Sequence, residues 1–122
     1  MSWKSSGATD LPLADADREW DGDEATDALF KLAGDGDDFD ANTVRRGHFA
    51  YNTGDADQQQ GYKLPFATVV DGELKAVPRA IYAVAQVLEG GRGGVDLPDD
   101  VQQEIRKKVE KYYDKMGEDP PW

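Results

Sequence analysis

The most regular hydrophobic pattern in the chain lies near its C-terminus. Apolar side chains recur there every three or four residues, at Val101, Ile105, Val109, Tyr112 and Met116. This spacing places them on one face of an amphipathic α-helix. Asp96 is a candidate N-cap, Pro98 suits the first turn, and Gly117 is expected to end the helix. The pattern therefore predicts a helix over residues 98–116.

A second apolar region begins with two β-type runs, "FATVV" and "ELKAV", which flank Asp71-Gly72. An Asp-Gly pair favours a type I′ turn, because both central residues of that turn need positive φ. We therefore predict a β-hairpin with strands at 66–70 and 73–77. Because Pro78 fits the first helical position, a further helix is predicted over 79–88. Its apolar stripe is Ile81, Val84, Ala85 and Leu88.

The first sixty residues carry weaker patterns. Ala25, Ala28, Leu29 and Leu32 recur at helical spacing. They predict a helix over 23–33, with Asp21 or Asp23 as its cap. "TVRRGHFAYN" predicts a short strand near 45–51, and the polar run after it predicts a mobile loop. Residues 1–10 are small and polar, which indicates a flexible N-terminal arm apart from Trp3.

Together these elements predict one α+β domain over residues 11–122, with about three helices and a short antiparallel β-hairpin or small sheet. The helices at 79–88 and 98–116 are expected to pack together. The core between them is expected to be closed by Leu64, Phe66, Val69, Leu74 and Val77. A chain of 122 residues can bury a core of this kind without metals or disulfides.

Composition narrows the classes of partner. The formal net charge is −11, which argues against direct binding to nucleic acid or anionic lipid. The first sixty residues carry 14 acidic and 5 basic side chains, a balance of −9, so they hold most of the negative field. Asp outnumbers Glu by 18 to 7, a bias associated with proteins from cytosols of molar salt. A halophilic source and an ordinary acidic, soluble protein both fit this composition.

The sequence offers little reactive chemistry, and no cofactor or metal is expected. Without cysteine there can be no disulfide, thiolate ligand or thiol nucleophile. A calcium loop starting at Asp38 would place Thr43 where Gly is required and Phe49 where Glu is required. His48 is the only histidine, and a structural role is expected for it. "GGRGG" lacks the spacing of a phosphate-binding loop and reads as a connection between helices.

A resemblance to a known family adds a context that these features do not supply. The pattern comprises Tyr-Lys-Leu-Pro at 62–65, an Ala-rich helix at 79–88, Gly-Arg-Gly at 91–93 and Tyr-Tyr-x-Lys-Met at 112–116. It resembles a small module of head-morphogenesis proteins in tailed viruses and prophages, where the module accompanies prohead-protease-like or capsid-associated proteins. With "LPLADADREWDG" as its start, the resemblance covers residues 11–122. The resemblance does not imply protease activity. Such proteases need a Ser/His catalytic pair in a larger domain, whereas this chain is short and the residues around His48 do not match that catalytic motif.

The resemblance implies a location and a partner. It suggests a non-enzymatic virion or capsid-assembly component, of the minor capsid or decoration type, that binds a viral head protein. Such a protein would be present in the virion and, during assembly, in the host cytoplasm. Its copy number and oligomeric state stay open, with capsid symmetry as one candidate that would set them. The candidate partner-binding residues are Trp3, Tyr62, Lys63, Arg92 and Trp122. For the segment 62–65 as a whole, a loop that enters the core is the favoured interpretation, and contact with a neighbouring protein is the alternative.

Two other functions remain open at this stage. The acidic first half fits a DNA-mimic protein that inhibits a nucleic-acid-binding protein. A small hydrolase has less support, and it would need His48 in a pocket with two carboxylates within hydrogen-bond reach.

Overall fold

The computed structural model describes residues 2–55, 57–91 and 94–122. The described residues form four helices and two small antiparallel sheets, which is an α+β fold as predicted. The strands are β1 (Trp3–Ser5), β2 (His48–Asn52), β3 (Tyr62–Pro65), β4 (Ala67–Val70) and β5 (Glu73–Ala76). The helices are α1 (Gly22–Ala33), α2 (Ala41–Arg46), α3 (Pro78–Leu88) and α4 (Asp99–Met116).

The three longer helices lie close to their predicted positions. Asp21 caps α1 by accepting backbone N–H hydrogen bonds from Asp23 and Glu24, at 3.1 and 3.2 Å. Helix α4 ends at Gly117, which takes the left-handed conformation that glycine adopts most easily. The predicted cap at Asp96 is wrong, because α4 starts at Asp99 after Pro98 and has no side-chain cap.

The hairpin is also confirmed. Strands β4 and β5 pair in antiparallel register, from Ala67 opposite Ala76 to Val70 opposite Glu73. Asp71 and Gly72 both have positive φ, as a two-residue turn of this kind requires. The segment before α1 extends this sheet, because Leu13 forms a parallel bridge to Ala76.

The predicted strand at 45–51 is only partly correct. Its first residues belong to α2, which Asp40 caps by accepting a hydrogen bond from the Asn42 N–H at 3.0 Å. The chain then passes Gly47, where a Cβ would stand 2.5 Å from a methyl carbon of Leu29. Because any larger residue there would displace the Leu29 side chain, glycine lets α1 approach the start of β2 closely.

The N-terminal segment differs from the prediction of a flexible arm. Residues Trp3–Ser5 form β1, which pairs with β2 so that Ser5 lies opposite Ala50. Strand β3 pairs with the other side of β2, which gives the order β1-β2-β3. The sequence missed β1 because three residues are too few to show alternation, and the strand is set by pairing with distant residues.

The larger of two hydrophobic clusters, here called the main core, lies between the sheets and helices α3 and α4. Phe49 and Phe66 stack at its centre with ring centroids 3.9 Å apart, and the Tyr112 ring lies 5.5 Å from Phe66. Helices α3 and α4 contact each other, as expected. Of the five residues predicted to close the core, Phe66, Leu74 and Val77 are buried, while Leu64 and Val69 are partly buried against it.

A smaller cluster, here called the satellite cluster, lies where α1, α2 and β3 meet. Its buried members are Ala33, Val44 and Tyr62, and the partly buried rings against it are Phe30, Phe39 and Tyr51. The predicted loop at 62–65 is therefore a β-strand, and its first residue belongs to this cluster.

Candidate functional site

Two of the five candidate partner-binding residues contact each other. The Nζ of Lys63 on β3 lies 4.5 Å from the centre of the Trp3 ring on β1 and donates a hydrogen bond to the Asp96 carbonyl at 2.9 Å. Both side chains are half-buried. A cation held over an indole face contributes about 0.5–1 kcal/mol at an exposed site. Segments far apart in sequence thus form one ordered aromatic and cationic surface, here called the Trp3–Lys63 surface.

Tyr62 points away from this surface, since neighbouring residues of a strand face opposite sides. Its ring meets Phe30 edge-on at 5.7 Å and lies 5.0 Å from the His48 ring. Burial raises the pKa of Tyr62. With 7% of its surface exposed, Tyr62 serves the satellite cluster and offers little area to a partner. This burial argues against a contact with a partner, and the role of Tyr62 in partner binding stays a prediction.

The two remaining candidates have different outcomes. Arg92 lies outside the described residues. Trp122 is 36% exposed and lies against α4, where its Nε1 donates a hydrogen bond to a Glu110 carboxylate oxygen at 2.9 Å. The guanidinium of Arg106 lies 4.7 Å from the centre of the Trp122 ring and also forms a salt bridge of 3.4 Å with Glu89.

His48 is buried and hydrogen-bonded within the fold. Its Nδ1 lies 2.9 Å from the Val44 carbonyl, and its Nε2 lies 3.0 Å from the Thr26 hydroxyl. The carbonyl can only accept, so Nδ1 carries the proton and Nε2 accepts from Thr26. Burial lowers the pKa of His48 to about 4, against a hydrogen bond to Val44 that raises it, so the ring is neutral at pH 7. Neither of these partners is a carboxylate, so His48 lacks the arrangement that the hydrolase hypothesis requires.

Helix α4 holds the N-terminal segment in place. One face of the helix contacts successive residues of an extended stretch that runs from β1 to Leu11. The contacts are Ser5 Oγ to Glu104 Oε2 at 2.6 Å, Lys108 Nζ to the Ser6 carbonyl at 3.0 Å, Tyr112 hydroxyl to the Ala8 carbonyl, and Lys115 Nζ to the Leu11 carbonyl at 2.8 Å. These bonds give Lys108 and Lys115 a structural role.

Sequence reasoning missed a groove of about 750 Å³ beside the satellite cluster. The Phe30 and Phe39 rings in it stack with centroids 5.6 Å apart, and three carboxylates, those of Asp27, Asp35 and Asp57, line its sides. We call it the acidic aromatic groove. The available signal was Phe39, a lone aromatic residue in the Asp-rich stretch "GDGDDFD".

Two further properties of the described residues bear on site chemistry. Within residues 2–55, 57–91 and 94–122, no three His, Asp or Glu side chains are grouped so that they could hold a metal ion. None of the helices described there is long and apolar enough to cross a membrane.

Comparisons with protein-family models, with curated proteins and with solved structures found no match to this chain. The fold class therefore rests on the structure, and the resemblance to head-morphogenesis modules stays a prediction.

Proposed function

We propose that this chain is a non-enzymatic component of a viral shell or of its assembly apparatus, and that it acts by binding a head protein. The resemblance of residues 11–122 to head-morphogenesis modules of tailed viruses supports the location. The observation that carries the binding role is the Trp3–Lys63 surface, where an indole ring and an ammonium group from separate strands are held together.

The Trp3–Lys63 surface has the character of an interface centre. Trp3 packs on the main core, and Lys63 is fixed by the Asp96 carbonyl, so both side chains are already ordered before a partner arrives. Preorganised side chains lose less entropy on binding, and tryptophan is over-represented among residues that dominate interface energies. β1 and β3 are also the edge strands of their sheet, and edge strands are where a neighbouring chain can pair with a sheet.

The proposal is tested on particles purified from cells that carry the gene, including immature heads. Mass spectrometry should detect the chain in a fixed ratio to the major capsid protein. Its absence from mature and immature particles alike would rule out the proposed function.

Variants then test the surface itself. Lys63→Met keeps the aliphatic stem but removes the charge, and Trp3→Ala removes the ring. Both should reduce incorporation into particles at least severalfold, while Leu32→Ala, an exposed apolar residue on α1, serves as the matched control. Circular dichroism of each purified variant separates loss of binding from loss of folding. Normal incorporation of folded Lys63→Met and Trp3→Ala would refute the role of this surface.

The DNA-mimic alternative makes a different prediction. A carboxylate field that occupies a basic protein should bind it with an affinity that falls steeply as salt rises. A shell component should stay bound to particles at high salt. Release of the chain from particles by moderate salt, together with inhibition of a nucleic-acid-binding protein, would favour the alternative.

A further inference from the structure

The acidic aromatic groove is built from three separate parts of the chain. Helix α1 contributes Asp27 and Phe30, the segment before α2 contributes Phe39, and the loop before β3 contributes Asp57 and Gln59. No single stretch of sequence predicts it. Its aromatic rings are partly buried, while the residues that carry its charges are exposed.

The aromatic floor of the groove is ordered in advance. Phe30 stacks on Phe39 at 5.6 Å with an interplanar angle of 29°, and Tyr62 meets Phe30 edge-on from within the satellite cluster. Phe30 is therefore braced from within the protein. A flat group that enters the groove would meet aromatic rings that need little rearrangement.

The charges around this floor are unbalanced. Three carboxylates and one ammonium, that of Lys31, line the groove, which leaves a balance of −2. Within the described part of the chain, none of the three carboxylates forms a salt bridge. One oxygen of Asp27 accepts a hydrogen bond of 2.7 Å from the Gln59 side chain, which orients this carboxylate. Among the residues that the structure describes, the groove thus combines an aromatic surface with three carboxylates that form no salt bridge.

These features together select for an arginine side chain. A guanidinium is planar, stacks on aromatic faces, and can donate two parallel hydrogen bonds to a carboxylate. A lysine ammonium is compact and strongly hydrated, so it gains less from the aromatic rings. The groove is open to solvent along its charged sides, whereas free small ligands usually occupy sites that enclose most of their surface.

We propose that the acidic aromatic groove is a docking site for an arginine side chain carried by a partner protein. The guanidinium lies against the Phe30 and Phe39 rings, and Asp27 and Asp57 accept its hydrogen bonds. This inference is independent of the Trp3–Lys63 surface and of whether the partner is a shell protein.

The test uses the full chain, labelled with ¹⁵N, and three blocked tripeptides: acetyl-Gly-Arg-Gly-amide and its lysine and citrulline counterparts. Citrulline is a neutral analogue with nearly the shape of arginine. The arginine peptide should shift the amide signals of residues 27–39 and 57–59 and should bind at least fivefold more tightly than either counterpart. Equal binding of the lysine or citrulline peptide would overturn the proposal.

Matched variants localise the effect. Asp57→Asn and Asp27→Asn remove one charge each with little change of shape, and each should weaken binding of the arginine peptide at least threefold. Asp71→Asn removes the same charge from the hairpin turn and should leave binding unchanged, since Asn also tolerates the positive φ of that position. An equal loss in Asp71→Asn would show a diffuse attraction to the acidic protein and would refute the groove.

Discussion

The main core and the satellite cluster are built from different kinds of side chain. The centre of the main core is a stack of Phe49, Phe66 and Tyr112, surrounded by aliphatic residues of α3 and α4. The satellite cluster has three buried members, and the buried imidazole of His48 lies 5.0 Å from the ring of one of them, Tyr62. Its outer rings, Phe30 and Phe39, open onto a groove lined by carboxylates.

Because of this difference, one region should set the size of the free energy of unfolding and the other its dependence on pH. A large apolar cluster gains its free energy from burial, which does not depend on pH. A small cluster beside a buried titratable group depends on the protonation state of that group. We therefore expect the main core to dominate the free energy of unfolding, and the region around His48 to set how this energy varies with pH.

The largest expected difference between the two regions comes from equivalent truncations. Phe66→Ala should reduce the free energy of unfolding by about 3–5 kcal/mol, because a fully buried ring leaves a cavity. Phe39→Ala should cost about 1–2 kcal/mol, because its ring is only partly buried. Urea denaturation followed by circular dichroism measures both, and Phe66→Leu replaces Phe66→Ala if that variant is unfolded. Equal losses for the Phe66 and Phe39 variants would contradict the division into a dominant and a minor cluster.

The next effect is a loss of stability in acid. Burial lowers the pKa of His48 to about 4 in the folded protein from 6.5, so the unfolded chain binds a proton more readily between these values. The contribution of His48 to the free energy of unfolding is complete above pH 6.5 and is lost as the pH falls through about 4. With 1.36 kcal/mol per pKa unit, the loss amounts to about 3 kcal/mol.

Urea denaturation at a series of pH values measures this effect, with His48→Gln as the control. The loss between pH 6.5 and 4 should shrink by about 3 kcal/mol in that variant. An unchanged pH profile in folded His48→Gln would show that His48 is not its source.

A smaller effect is expected from the hydroxyl group that supports His48. Thr26→Val keeps the shape of the side chain but leaves the buried Nε2 of His48 without its donor. An unsatisfied buried acceptor costs about 1–3 kcal/mol, so the free energy of unfolding at pH 7 should fall by that amount. Thr26→Ser, which restores the hydroxyl, should recover part of the loss. Full stability of Thr26→Val would mean that this hydrogen bond contributes nothing.

The smallest effect is expected where the main core meets the N-terminal segment. Tyr112→Phe removes the hydroxyl that donates to the Ala8 carbonyl and should cost about 0.5–1.5 kcal/mol. Because that bond holds the segment after β1, amide hydrogen exchange at residues 3–8 should accelerate more than exchange in α3. Equal acceleration in both places would indicate a general loss of stability and no local release.

The local sequence pattern was sufficient to predict an element when that element contains its own periodicity or turn residues. The period of apolar residues identified α1, α3 and α4 to within one residue at each end, and Asp71-Gly72 identified the hairpin. Strands β1 and β3 and helix α2 were missed. Each is short, and β1 exists because it pairs with β2 while α4 holds the chain that follows it.

The candidate site residues show the same contrast between what local sequence predicts and what depends on contacts between distant segments. Trp3, Lys63 and Trp122 could be chosen from sequence as surface aromatic or charged residues, and Trp3 and Lys63 were brought together. Tyr62 could not be told from them, because the side of the sheet that a strand residue faces depends on strand pairing. The acidic aromatic groove was missed because it forms only where Asp57 and Gln59, from the loop before β3, meet residues 27–39.

The sequence by itself determined the α+β class, the three main helices, the hairpin and the concentration of negative charge in the first half. These depend on interactions between residues close in the chain, or on composition alone. The tertiary structure decided that His48 is buried and neutral, that the N-terminal segment forms a strand, and that Phe30 and Phe39 share a groove with three carboxylates. The physical reason is that burial, pKa and the meeting of distant side chains depend on packing between elements, which no local window of sequence contains.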